Sequence, residues 1–269
     1  MIKQKILPLS LAIAIFATPL IAPRAILAAE LGEIERRGKL IVAVKDNLRP
    51  LGFYDTEGKL QGLEIDIARR LAEELLGNAD AVVLQPVSNQ DRLRVVLEGK
   101  VDLTIARVTA TTSRSRIVDF SAYYYLDGTG LVTKDISVQK LQDLASRKIA
   151  VLDGSSNIAV IKENLPNAQL VGVDSYQEAY FLLESGLADA FAADNTVLTG
   201  WVQEYPQYRQ LQQRLSGEAL CVVMPRGLQY VGLRTSVNEA IARWRKSGWL
   251  QERITYWGLP QINPKLKDN

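Results

Sequence analysis

The 269-residue sequence contains no histidine and a single cysteine, Cys221. Without histidine, neither a serine–histidine nor a cysteine–histidine nucleophile pair can be assembled, and imidazole-based metal sites are excluded. One cysteine leaves no internal disulfide and no thiolate cage for zinc or an iron–sulfur cluster. A marked surplus of positive charge is also lacking. The 32 basic residues face 30 acidic ones, and Lys3, Lys5 and Arg24 lie in an acid-free stretch over 1–29, which leaves 29 against 30 beyond it. A nucleic-acid-binding domain keeps a strong basic excess, so no nucleic-acid partner is expected.

Long apolar runs are scarce, and the exception is 6–22. It follows Lys3 and Lys5, is broken by Pro8 and Pro19, and precedes the small residues Ala28 and Ala29. At about 17 residues it is short for a membrane span. Its pattern is that of a secretory signal over 1–29, removed on export. The mature chain is therefore expected in the periplasm. No cysteine stands near the cut to carry a lipid.

The whole sequence is 47% apolar and 23% charged, an ordinary balance for a folded chain. The length suits two lobes of roughly a hundred residues or slightly more. Leu40-Ile41-Val42-Ala43-Val44 is a continuous apolar run of the buried-strand kind. Leu63, Ile67, Leu71 and Leu75 recur at helical spacing with charges between, and Gly77 ends the pattern. Further strands are read at 81–86, 101–106, 149–152, 169–173, 190–193 and 221–224. Helices are read at 92–97, 158–164, 175–185, 231–246 and 249–257. Strands alternating with helices call for α/β layers with mostly parallel sheets.

An ordered series of short blocks then stands out. It runs through Gly62-Leu63-Glu64-Ile65-Asp66, Gly99-Lys100-Val101-Asp102, Thr109-Ala110-Thr111-Thr112-Ser113-Arg114 and Val118-Asp119-Phe120-Ser121. Gly154-Ser155-Ser156, Ser175-Tyr176-Gln177-Glu178-Ala179 and Gly186-Leu187-Ala188-Asp189-Ala190 complete it. In order and spacing this series resembles the extracytoplasmic amino-acid-binding proteins of ABC importers, the family 3 solute-binding proteins. Over 45–77 the likeness is greatest to the aspartate/glutamate branch. The resemblance implies a two-lobed, type II periplasmic-binding-protein-like α/β fold, each lobe a mostly parallel sheet flanked by helices. Two crossing strands, near 126–131 and 216–224, would join the lobes. Lobe one would then comprise 36–127 plus 222–262, and lobe two 128–221.

Both charged groups of an amino acid need partners when desolvated. Arg114 stands where the family grips the α-carboxylate, and a guanidinium can hold it with two parallel bonds. Thr109 matches the donor beside it. Ser155 and Ser156 sit between a strand and a helix, where outward amides offer a carboxylate seat. Asp194 ends an apolar strand at its mouth and matches the acid that binds the ammonium. For the ligand side chain the resemblance implies Lys45, Arg92 and Tyr176. Arg92, flanked by Asp91 and Arg94, suits a solvated helical face equally well, and Tyr176 suits plain packing. Two positions depart from the family pattern: Arg107 replaces a small residue, and Arg49 replaces a ring. Both add positive charge to the cleft edge, which favours an acidic ligand unless Asp46 neutralises them. Glu64 and Asp66 are read as complements to a helix dipole.

The resemblance therefore implies a non-catalytic, monomeric receptor for glutamate or aspartate, working without metal or cofactor. It would deliver its ligand to a membrane permease coupled to an ATPase. The alternative is an enzyme on the same fold, such as a periplasmic cyclohexadienyl or arogenate dehydratase. With no histidine, its proton donor would have to be a carboxyl, a lysine or a tyrosine.

Overall fold

The computed structural model describes residues 30–261; the expected signal over 1–29 lies outside them. In chain order the strands are β1 (Leu40–Val44), β2 (Asn47–Leu48), β3 (Gly52–Tyr54), β4 (Leu60–Gln61), β5 (Val82–Pro86), β6 (Leu103–Ile105) and β7 (Asp119–Asp127). They continue with β8 (Thr129–Thr133), β9 (Lys148–Leu152), β10 (Gln169–Val173), β11 (Ala190–Asp194), β12 (Arg209–Gln210) and β13 (Glu218–Met224). The helices are α1 (Leu31–Arg37), α2 (Leu63–Leu76), α3 (Arg94–Leu97), α4 (Asn157–Asn164), α5 (Tyr176–Glu184), α6 (Asn195–Glu204), α7 (Val231–Ser247) and α8 (Trp249–Tyr256). Among the described residues no helix is long and apolar enough to cross a membrane.

Two five-stranded sheets form two α/β lobes. The first has the order β5-β1-β6-β13-β7, the second β10-β9-β11-β8-β12. Three strands of each are parallel: β5, β1 and β6 in one, β10, β9 and β11 in the other. The remaining two run antiparallel to their neighbours, as β13 does to β6 and β7, and β8 to β11 and β12. The sheets are thus mixed rather than mostly parallel. The cause is the double crossing: β7 leaves the first sheet, and β13 returns between β6 and β7 in the opposite sense. β13 begins at Glu218, three residues before the strand read at 221–224, and pairs there with Asp127.

Both faces of each sheet are covered, so side chains alternate between two cores. Along β1, Leu40, Val42 and Val44 pack with α2 and α7, while Ala43 packs with Val95, Val108 and Val118. Along β11, Phe191 and Ala193 join Trp201 and Tyr208, whereas Ala190 and Ala192 join Leu144 and Ile161. Strands buried on both sides must be apolar throughout, which is why these runs show no polar alternation.

Between β7 and β8 the chain changes lobe at Gly128. A Cβ there would collide with the Ser216 carbonyl on the returning crossing, so the two crossings touch backbone to backbone. Asp127, 1% exposed, fixes this junction. It accepts from the Gly128 amide (2.9 Å), the Thr196 amide (3.1 Å) and the Thr196 hydroxyl (2.6 Å). Thr196 belongs to α6, so the hinge is tied to the first turn of a lobe-two helix.

Candidate functional site

Lobe one contributes a wall of cations. Lys45, at the end of β1, donates from Nζ to the Val87 carbonyl at 3.0 Å, and its burial lowers its pKa. Arg92 precedes α3 and donates to the carbonyls of Ala106 (3.2 Å) and Arg107 (2.5 Å). Burial, then the nearby Arg114 and Arg107, lower the pKa of Arg92. Arg114 opens a short 3-10 helix, Arg114–Arg116, and donates to the Thr109 carbonyl at 2.8 Å. Among the described residues neither Arg92 nor Arg114 forms an ion pair.

Beneath this wall Glu64, in the first turn of α2, is fully buried. Its Oε1 accepts from the Tyr124 hydroxyl (2.5 Å) and the Arg107 amide (2.6 Å), while Oε2 has no partner. Burial raises its pKa against the pull of those bonds and of Arg107 and Arg92.

Lobe two faces this wall with a polar network. Asn157 donates to Asp194 (3.2 Å) and to Ser155 Oγ (2.8 Å), and accepts from the Thr129 hydroxyl (2.5 Å). Asp194 terminates β11 and is only 9% exposed. Glu218, at the start of β13, is half-buried beside Thr109. Burial and the neighbouring Asp127 raise its pKa, opposed by Arg107, Thr109 and Arg114.

Arg107 spans the cleft. Its guanidinium pairs with Asp194 in lobe two and lies 4.0 Å from Asp127 at the hinge. Its backbone is left-handed, with φ +49°, and no other non-glycine residue among those described has a positive φ. Such a conformation costs about 1–3 kcal/mol for a residue with a side chain. The amide bond to Glu64 and the carbonyl bond from Arg92 hold it there.

The sequence model of the bacterial extracellular solute-binding proteins, family 3, matches residues 40–260. The chain belongs to that family. A glutamine-binding protein of Geobacillus stearothermophilus is 35% identical over 191 residues, covering 70% of this chain and 73% of the relative. Among solved structures, the ancestral cationic amino acid solute-binding protein AncCDT-1 superposes with a TM-score of 0.72 at 28% identity, over 84% of this chain and 98% of that one. A second AncCDT-1 structure, described as a precursor of cyclohexadienyl dehydratase, gives 0.65 at 27% identity, over 85% and 99%. A solute receptor for L-cysteine from Neisseria gonorrhoeae gives 0.65 at 29% identity, over 89% and 98%.

On this solute-binding-protein fold the residues singled out from sequence fall into two groups. Lys45, Arg92, Arg107, Thr109, Arg114, Ser155 and Asp194 are brought together by the contacts described above. Arg49 and Tyr176 instead border a cavity of about 540 Å³, together with Phe53, Tyr180, Trp201 and Tyr205. There the Arg49 guanidinium sits 3.8 Å from the centre of the Phe53 ring, and Tyr176 meets Phe191 edge-on at 6.0 Å. Ser156 is exposed, and its side chain makes no capping bond. Arg107 is neutralised by Asp194 and Asp127, not by Asp46, so it does not add free charge. Sequence reasoning missed Asp127, Asn157 and Glu218. Asn157 had a signal in its place after Ser155-Ser156, and Asp127 in its place before a crossing glycine; Glu218 had none.

Proposed function

We propose that the chain is the extracytoplasmic receptor of an ABC importer and captures a dicarboxylic amino acid, glutamate or aspartate, between closing lobes. The observation that carries this reading is the pair Arg92 and Arg114. Both guanidiniums are half-buried, Arg114 is close enough to lower the pKa of Arg92, and both are held by main-chain carbonyls of one loop. Cations gathered this way are costly until an anion joins them. A ligand with two carboxylates offsets both.

In this reading Arg114 and Thr109 take the α-carboxylate, and Arg92 and Lys45 the distal one. Asp194, with Ser155 and Ser156 alongside, faces the amino end, while Arg49 and Tyr176 guard the outer mouth. The lobes divide near 127/128 and 217/218, and closure excludes water and strengthens each charged contact. The ligands named for the relatives differ in side chain, and what this reading takes from them is an amino acid as ligand. Residues 1–29 export the chain to the periplasm. It acts there as a monomer, without metal or cofactor, and docks on a permease coupled to an ATPase.

Competition calorimetry tests the ligand class. Glutamate or aspartate should bind at least tenfold more tightly than glutamine, about 1.4 kcal/mol. Arg92→Gln should narrow the gap, and Arg114→Ala should cost a hundredfold or more in affinity, as removal of a buried charge partner does. Tighter binding of glutamine or of a cationic amino acid would overturn the acidic reading.

Glu218 supports a second reading. A half-buried carboxyl with a raised pKa, facing the cleft, is a proton donor of the kind a dehydratase needs, and one structural neighbour is described as a dehydratase precursor. Incubation with prephenate or arogenate decides it. An aromatic product that disappears in Glu218→Gln would replace the receptor with an enzyme.

A further inference from the structure

We infer that Arg107 is a built-in cation of the cleft, and that the site therefore accepts dicarboxylates carrying no amino group. The inference rests on the dicarboxylate reading above and deepens it. Two acids of the cleft, Asp194 and Asp127, are satisfied before any ligand arrives. Asp194 has the Arg107 guanidinium and the Asn157 amide. Asp127 has Arg107 at 4.0 Å, two backbone amides and the Thr196 hydroxyl.

Arg107 is not a free arm that a ligand can push aside. Its amide is held by Glu64 and its carbonyl by Arg92, and its side chain is 22% exposed. The left-handed backbone at φ +49° fixes the direction in which that side chain leaves the loop. A ligand ammonium would have to expel the guanidinium from its carboxylates towards Arg92 and Lys45, both of which it already repels. The chain thus supplies the positive charge that an amino group would otherwise bring. An ammonium on the ligand adds nothing that Asp194 and Asp127 lack, while its two carboxylates still meet Arg92 and Arg114.

The test is calorimetric titration with L-glutamate and with glutarate, which has the same carbon skeleton without the amine. Wild-type protein should bind glutarate within tenfold of glutamate or more tightly. Arg107→Gly, a residue that tolerates the left-handed backbone, should shift the ratio at least tenfold towards glutamate. Arg107→Lys should keep the wild-type ratio. Asp194→Asn gives an independent reading should the glycine variant fail to fold, as circular dichroism would reveal. It should change the affinity for both ligands alike, because the acid's partner is Arg107. Glutamate binding more than tenfold tighter than glutarate, or a loss in Asp194→Asn confined to glutamate, overturns the inference and leaves the dicarboxylic amino-acid reading standing. Failure of both dicarboxylates to bind overturns both.

Discussion

Glu64 shows how much a single side chain can carry in this site. Its carboxyl is the shared acceptor of the Tyr124 hydroxyl and the Arg107 amide, so it joins the β7 strand to the strained loop that presents Arg107. Burial raises its pKa above the ordinary 4.5. The folded state therefore holds a proton that the unfolded chain has released, and stability falls as pH climbs from about 4.5 through the raised folded value. Glu64→Gln removes that titration and keeps an oxygen for both donors. Urea denaturation at stepped pH should show wild type losing ground to Glu64→Gln across this window. Glu64→Ala leaves two donors unpaired and should cost about 1–3 kcal/mol for each. Parallel pH profiles for wild type and the glutamine variant would mean the carboxyl titrates normally. From sequence the residue read as a helix-dipole complement. Its burial depends on Tyr124, sixty residues away, and no local pattern reports that.

Elements with their own periodicity were legible. The apolar run of β1 and the i, i+4, i+8 stripe of α2 are properties of a few adjacent residues, and both lie where the pattern put them. The meander β2-β3-β4 was not, because strands of two or three residues are too short to show alternation. Nor was the reversed direction of β13, since a strand's polarity in a sheet is set by the path of the chain and not by composition. At the level of one element, α6 makes a sharp prediction. Gly200 lies inside this lobe-two helix, and a Cβ there would run into the Arg49 carbonyl of lobe one. Alanine is favoured over glycine in a helix interior by about 1 kcal/mol. Gly200→Ala should thus leave the melting temperature of the free protein unchanged or raised, while the collision opposes full closure. Calorimetry should show ligand affinity reduced tenfold or more. An unaltered Kd would mean that the bound lobes do not approach this closely.

Across the whole molecule the cores belong to separate lobes, with packing on both faces of each sheet. Leu48 packs against both a lobe-one and a lobe-two core. Beyond it the lobes meet at the crossings, at the Arg49 carbonyl against Gly200, through the Gln203 side chain donating to the Trp257 carbonyl (2.9 Å), and through Arg107 with Asp194. This is why the site was only half legible. Arg107, Arg114 and Asp194 each stand at a readable place in a local block, but which cation meets which acid is decided when the crossings fold one lobe onto the other. The same arrangement makes the ligand a structural link. Ligand bound to the folded state alone stabilises by about 2.7 kcal/mol at a hundred times its Kd, and here that stabilisation acts on both lobes at once. Scanning calorimetry of the free protein should give a broad endotherm resolvable into two lobe transitions. Saturating glutamate should raise and merge them into one. A chelator should change neither trace, since the proposed contacts are all between side chains, main chain and ligand. If saturating ligand shifts one transition and leaves the other in place, the ligand is held by a single lobe, and closure is not what retains it.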